Sequence, residues 1–358
     1  MIINKKQLKR LLIRTGFPAL RFSNINRLFQ PFYSGIGSVI YFHRVCDPQR
    51  GPRIPSLSAL EVSQEFLEKT IKFFLSKNYQ IVSLDDLDTA LSGKPFQKPL
   101  VVFTFDDGYR DNLSHAYPVF KKYGLPFTIY VTTGFVERRS ILWWVLLEEL
   151  IINRNKISFY FGEKTYNFFC RSQSEKEYAF SKIHALFMKY QGNKFMKTVK
   201  AILETNGLDL YQKTDELMLN WMEIKKLSND PIVTLAAHTE NHFSLSKLSP
   251  EELKEEVTNS KNLLESKTSR PVKHFAYPYG SRDEAGPRDF SLVKGFGFRT
   301  ATTTRPGNIF LEHDIRRECL PRIPINEKVC GKNLEFLKLW LSGTIPAIMN
   351  KFRKIENN

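Results

Sequence analysis

Leu100-Val101-Val102-Phe103-Thr104-Phe105-Asp106-Asp107-Gly108-Tyr109 decides the architecture of this chain. Its first six residues hold a single polar side chain and do not alternate. That is the pattern of a strand covered on both faces, as in a parallel sheet flanked by helices. Two carboxylates follow at the C-terminal end of the run, and Gly108 lets the chain turn sharply away from them. Adjacent carboxylates at such a place are costly unless a metal, a proton or a cation compensates them. A pair of this kind can divide its labour, one member ligating a metal and the other remaining a base. Taken alone, Asp-Asp-Gly is equally an ordinary turn or helix cap. A calcium loop is excluded, because the alternating oxygen ligands and closing Glu of that motif are missing.

Working outward, β-branched or aromatic runs recur at 38–42, 80–84, 126–132, 232–237, 274–277, 298–303 and 320–325. Helical patterns lie between them, such as 63–77 and 250–265, the latter opened by Ser249-Pro250-Glu251-Glu252, a capping Ser with Pro in the first turn. This alternation over 358 residues, seven or eight units, predicts an α/β fold closed into a barrel rather than left as an open sheet. The rhythm breaks at 138–229, where helical patterns at 141–153, 175–189 and 194–206 surround a hairpin expected at 157–161 and 165–169. We read this as a mostly helical insertion grown from a barrel loop, within a domain at 35–330. A basic segment at 1–34 precedes that domain and a helical tail at 331–358 follows it.

A second constellation, His238-Thr239-Glu240-Asn241-His242, also follows an apolar run. Two His at i and i+4 can grip one metal ion, and Asp107 would complete a set of two nitrogens and one oxygen. Such a set leaves a position open for water, as catalytic rather than structural sites do. Glu240 stands third of the five residues, not second, so it does not copy the general base of the metalloprotease motif. A third element is His274-Phe275-Ala276-Tyr277-Pro278-Tyr279-Gly280, and a fourth is Tyr41-Phe42-His43-Arg44. Four strands ending in chemistry-bearing residues is what a barrel site needs, because those sites are built at the C-terminal face.

Together these residues resemble the polysaccharide deacetylase family, also known as the NodB homology domain or carbohydrate esterase family 4. The resemblance rests on Thr104-Phe105-Asp106-Asp107-Gly108, His238-Thr239-Glu240-Asn241-His242 and Tyr277-Pro278-Tyr279-Gly280, and spans about Gly37 to Ile325. It implies an irregular (β/α)7 barrel in which Asp106 is the general base and Asp107, His238 and His242 bind one divalent metal, zinc first, with cobalt or nickel as alternatives. The backbone N–H of Tyr279, in the Pro278-Tyr279 step, would help hold the oxyanion, and Tyr109 and Pro278 would line the substrate. Two departures stand out. Ala276 occupies the place of the family's Arg before the Pro-Tyr step, and the late leucine-and-histidine element that supplies the acid is absent. The branch containing poly-N-acetylglucosamine deacetylases shares Phe-Ala-Tyr-Pro-Tyr-Gly and an early Tyr-x-His, which implies His43 as the acid. Arg322 or Arg110 is expected to replace the missing Arg, with Arg322 also counted among the substrate-binding residues.

Composition narrows the setting. With 42% apolar and 13% aromatic residues the chain can build a large core, which excludes disorder and small disulfide scaffolds. Cys46, Cys170, Cys319 and Cys330 show no paired spacing, so free thiols are expected. The net charge of +16 is uneven: residues 1–46 hold eight bases and no acid, half of the excess. We find no recognised nucleic-acid module and no aromatic platform, so nucleic acid is not the expected partner. Lys5 to Arg14 can form an amphipathic helix, which reads either as a peripheral contact with an anionic membrane or as a solvated basic helix packed on the barrel. No signal peptide or spanning segment is expected, which gives a cytoplasmic protein, peripheral on the inner membrane face. The expected activity is removal of an N-acetyl group from an amino sugar in a glycan or its precursor during bacterial envelope synthesis. Two alternatives stand beside it: a deformylase or deacylase of a lipid-linked sugar, and a non-catalytic glycan- or membrane-binding protein built on a decayed barrel.

Overall fold

A computed structural model of the chain describes residues 24–47, 53–190 and 192–355. The amphipathic helix expected at Lys5 to Arg14 lies outside the described residues. Seven parallel strands form a closed ring in chain order: β1 (Gly37–Phe42), β2 (Leu100–Phe105), β3 (Phe127–Val131), β4 (Val233–Ala237), β5 (His274–Ala276), β6 (Thr300–Pro306) and β7 (Leu320–Pro324). β7 returns to β1 through Ile40 opposite Ile323, and β1 runs beside β2 from Gly37 opposite Leu100 to Phe42 opposite Phe105. Closure leaves no sheet edge to protect and sends all seven C-terminal ends to one face. The expected (β/α)7 barrel is therefore the observed fold.

The strands form where the sequence is continuously apolar, because helices cover them outside and side chains fill the ring inside. Every residue of β2 and β3 is buried. Phe103, Phe105, Phe120 and Phe127 form one aromatic cluster, with Phe120 stacked on Phe127 at 4.5 Å between ring centres. Each such ring contributes on the order of 2–3 kcal/mol by leaving water. The covering helices start at local caps: Ser63 accepts from Phe66 N ahead of Gln64–Ser76, and Ser249 with Glu252 closes a reciprocal capping box ahead of Pro250–Thr268.

One run departs from its pattern. The segment 80–84 pairs with the start of β2 over Gln80–Ile81 alone. Ser83 and Asp86 form a capping box that turns Leu84–Leu91 into a helix. Satisfied helix donors outweigh three more residues of edge strand.

The stretch between β3 and β4 is mostly helical, as expected. It contains helices Trp143–Ile152, Gln173–Phe187, Asn193–Thr205 and Trp221–Ser228, and an antiparallel hairpin of Lys156–Phe161 with Lys164–Phe169. At the other face of the barrel, helix Ile25–Tyr33 packs on helix Thr344–Met349. Among the described residues no helix is long and apolar enough to cross a membrane, and all four cysteines are free.

Candidate metal centre and active site

The C-terminal ends of β1, β2, β4 and β5 bring the four sequence elements together. Asp106 N donates to Phe42 O at 3.0 Å, which keeps β2 in register for one residue beyond the strand. The chain then leaves abruptly: Asp107 has φ 75° and Gly108 φ 83°. Thr239, His242 and Tyr279 also have positive φ, at 65°, 59° and 59°. Left-handed backbone is unusual for His and Tyr, and its concentration in the loops that carry the chemistry marks a site that the surrounding fold holds under strain. Gly280 continues the Tyr279 turn at φ 56°, where a Cβ would lie 2.7 Å from Thr304 N, so no larger residue fits.

Asp107 Oδ1 lies 3.4 Å from His238 Nε2 and 3.2 Å from His242 Nε2, and all three side chains are buried. No N–H is aimed at that oxygen well enough to make a hydrogen bond. His238 Nδ1 sits 2.8 Å from Ala276 O. A carbonyl only accepts, so Nδ1 carries the proton and Nε2 turns its lone pair toward Asp107. Burial pushes the His242 imidazole below its usual range, more than Asp107 beside it pulls it back, which favours its neutral, lone-pair-bearing form. Burial would raise the Asp107 carboxyl, but the cationic forms of His242 and then His238, present at the acid pH where it titrates, hold it well below the usual carboxylate range. One anionic oxygen and two imidazole nitrogens converging within 4.8 Å form a donor set that suits a divalent cation. They also explain the buried carboxylate oxygen with no donor aimed at it.

Asp106 is compensated differently. Arg322 donates from Nη1 to Oδ1 at 2.7 Å and from Nη2 to Oδ2 at 2.8 Å. Its Nε donates to Thr303 O at 2.8 Å, and its guanidinium lies over the rings of Tyr41 and Tyr130 at 4.6 and 5.5 Å. Burial works to raise the Asp106 carboxyl, but Arg322 and then His238 outweigh it, and the group lies below its ordinary value. Arg110 points elsewhere, to Glu223 and to the carbonyls of Asp215 and Glu216. Of the two arginines named from the sequence, Arg322 alone meets Asp106. Being fully buried, it stands behind Asp106 and does not line the cavity.

His43 Nε2 lies 4.0 Å from Asp106 Oδ2 with its side chain 18% exposed, more open than Asp106, Asp107, His238 and His242. His43, Asp106, Asp107, His238, His242 and Tyr279 all border one cavity of about 820 Å³. Tyr109 and Pro278, expected to line the substrate, do not border it. Tyr109 is buried beneath the Arg44 guanidinium, and Pro278 is buried within its turn.

Sequence reasoning missed several contributors. The insertion supplies part of the cavity wall through Trp144, Phe180, His184 and Met188. Buried Glu256 accepts from Asn241 N at 2.8 Å and Asn241 Nδ2 at 2.6 Å, fixing the loop one residue before His242. Its signal was present, since Glu256 occupies an apolar-period position between Leu253 and Ser260 of its helix. Arg44 joins Asp111 at 2.9 Å and Glu61 at 3.0 Å, bracing the loop beyond His43.

Comparison with known proteins agrees with this geometry. The profile of the family "Polysaccharide deacetylase" matches residues 93–288, more than half of the chain. A curated relative, the "Putative polysaccharide deacetylase YxkH" of Bacillus subtilis, is 23% identical over 256 residues, 71% of this chain. The aligned region spans 62% of the length of that relative. Among solved structures, the Streptococcus pyogenes deacetylase PplD in complex with acetate superposes with TM-score 0.54 at 18% identity, over 83% of this chain and 96% of that one. IcaB from Ammonifex degensii gives 0.52 at 18% identity, over 85% and 96%. The "putative polysaccharide deacetylase BA0330" of Bacillus anthracis gives 0.52 at 18%, over 84% and 67%. At these identities the structural likeness speaks for the fold.

Proposed function

The chain belongs to the polysaccharide deacetylase family, and from that premise we propose that it hydrolyses the N-acetyl group of an amino sugar in a glycan or glycan precursor of the bacterial envelope. The observation that carries this reading is the division of labour between adjacent carboxylates. Asp107 faces two imidazole nitrogens while Asp106 is held by Arg322, and both open on the same cavity. A divalent cation held by Asp107, His238 and His242, zinc first and cobalt or nickel next, would supply Lewis acidity toward the amide oxygen and lower the pKa of a bound water. Asp106, kept ionised and oriented by Arg322, takes a proton from the attacking water. The Tyr279 N–H donates to the carbonyl oxygen as it gains charge. As the C–N bond breaks, His43 gives its proton to the leaving nitrogen, so that acetate and a free amine leave.

A decayed, non-catalytic barrel fits less well. A buried carboxylate oxygen with no donor aimed at it, facing two imidazole nitrogens, is costly without a ligand. The test is incubation with N-acetylglucosamine oligosaccharides and, separately, with lipid-linked N-acyl sugars, following acyl loss by mass. Loss of 42 mass units (about, for acetyl) from the oligosaccharide supports this reading. Acyl loss from the lipid-linked sugar alone would favour the lipid-linked alternative, and loss from neither would remove the activity.

A further inference from the structure

The barrel end opposite the site carries an apolar surface with a basic surround. On helix Ile25–Tyr33, Leu28 and Phe32 lie one turn apart and are 72% and 62% exposed. Pro31 between them is exposed as well. Phe352 joins them from the C-terminal segment at 60% exposure, its ring 6.2 Å from Phe29 and its carbonyl accepting from Tyr33 Oη at 3.1 Å. Lys351 and Phe352 are consecutive left-handed residues, φ 54° and 62°, a conformation costly for a bulky side chain. Backbone strain is thus accepted where a phenylalanine is held in solvent.

The two chain segments that carry these side chains hold charge of one sign. Arg27, Lys351, Arg353 and Lys354 are exposed beside them. The chain contains no Asp or Glu from residue 1 to 46 or from 336 to 355. Three large apolar groups projecting from segments that hold bases and no acid match the interfacial region of an anionic bilayer, where rings insert and cations meet phosphate. A second copy of the chain would bring like charge against like charge.

We propose that this surface docks on an anionic lipid bilayer through Leu28, Phe32 and Phe352. The inference goes beyond the deacetylase reading and does not depend on it. Its orientation follows from the fold. Asn308 Nδ2 donates to Tyr33 O, and Ile309 bridges to Gly37, so the surface lies at the end where β1 begins. His43 stands beyond the other end of that strand, about 20 Å from Gly37 at ordinary strand rise. The docked barrel presents its catalytic mouth away from the lipid, toward glycan that extends from the membrane rather than a headgroup at its surface.

The experiment uses the full chain with vesicles of phosphatidylcholine alone or with 30% phosphatidylglycerol (roughly, an anionic surface that recruits basic patches). Co-sedimentation is expected with the anionic vesicles only. L28Q/F32Q/F352Q should lower the partition coefficient about tenfold or more, with thermal midpoint and metal binding unchanged. Separately, F32W should be quenched by brominated anionic lipid. Undiminished binding of the triple variant, or bound F32W that is not quenched, would overturn the proposal. So would a concentration-dependent dimer that the triple variant abolishes, since that would make a second copy the occupant.

Discussion

Arg322 grips Asp106 with two parallel hydrogen bonds, 2.7 and 2.8 Å long, and both side chains are buried. The guanidinium is planar, and its two Nη groups match the two carboxylate oxygens, so it fixes the direction of the carboxylate as well as its charge. The lone pairs that remain on Asp106 are thereby turned toward the cavity.

The first prediction concerns that arginine. Arg322→Met should lower kcat by about 10²–10⁴, the usual worth of a positioned general base. It should also cost about 3–5 kcal/mol of stability, because an unpaired buried carboxylate remains. Arg322 holds the Asp106 pKa down, so the variant should lose its residual activity at a higher pH as acid is added. The pH profile of kcat reads this directly. An unchanged acidic limb would show that Asp106 is not the titrating base.

His43 is separable from Asp106 by the leaving group. His43→Ala should cut amide hydrolysis about 10²–10⁴-fold. Hydrolysis of 4-nitrophenyl acetate, whose leaving group needs no proton, should fall far less. Equal loss on both substrates would assign His43 to something other than acid catalysis.

Glu256 predicts a pH-dependent stability. Burial pushes its carboxyl up to about 7, against the favourable hydrogen bonds from Asn241. With the folded value above the unfolded one, the contribution is complete below the unfolded pKa of about 4.5 and is lost as pH rises through about 7. Denaturation of the wild type between pH 5 and 8 should therefore show a loss on the order of 3 kcal/mol that Glu256→Gln removes. Superimposable pH profiles for the two proteins would contradict it.

The insertion is testable at its cavity wall. Phe180→Ala should raise KM for an oligosaccharide severalfold while kcat changes little, since Phe180 borders the cavity but not the reacting groups. A loss confined to kcat would place it in the chemistry instead.

Much of this fold could be read along the chain because parallel barrel strands are continuously apolar. The runs at 100–105, 126–132 and 232–237 lie within one residue of β2, β3 and β4. Gln80–Ile81 was overextended because Val82 and Leu84 look like strand residues until the Ser83 and Asp86 cap is weighed. The Asp107, His238 and His242 set was legible because Asp107 follows β2 and both His follow β4. The Arg322 pairing was less so, being one of two candidates at a separation of 216 residues from Asp106. Side chains that reach a site from helices of the insertion, such as Phe180 and Met188, leave no local pattern apart from ordinary helical burial. Pairings of that kind depend on tertiary geometry that no spacing encodes.

The central claim is that Asp107, His238 and His242 hold a catalytic cation while Asp106 acts as base. It is tested most directly by measuring metal content and acetate release together on wild type and Asp106→Asn. The account predicts one divalent ion per chain in both proteins, acetate release from an N-acetylglucosamine oligosaccharide by the wild type, and almost none by the variant. A variant that turns over at the wild-type rate, or a wild type that releases acetate with no bound ion, would contradict it.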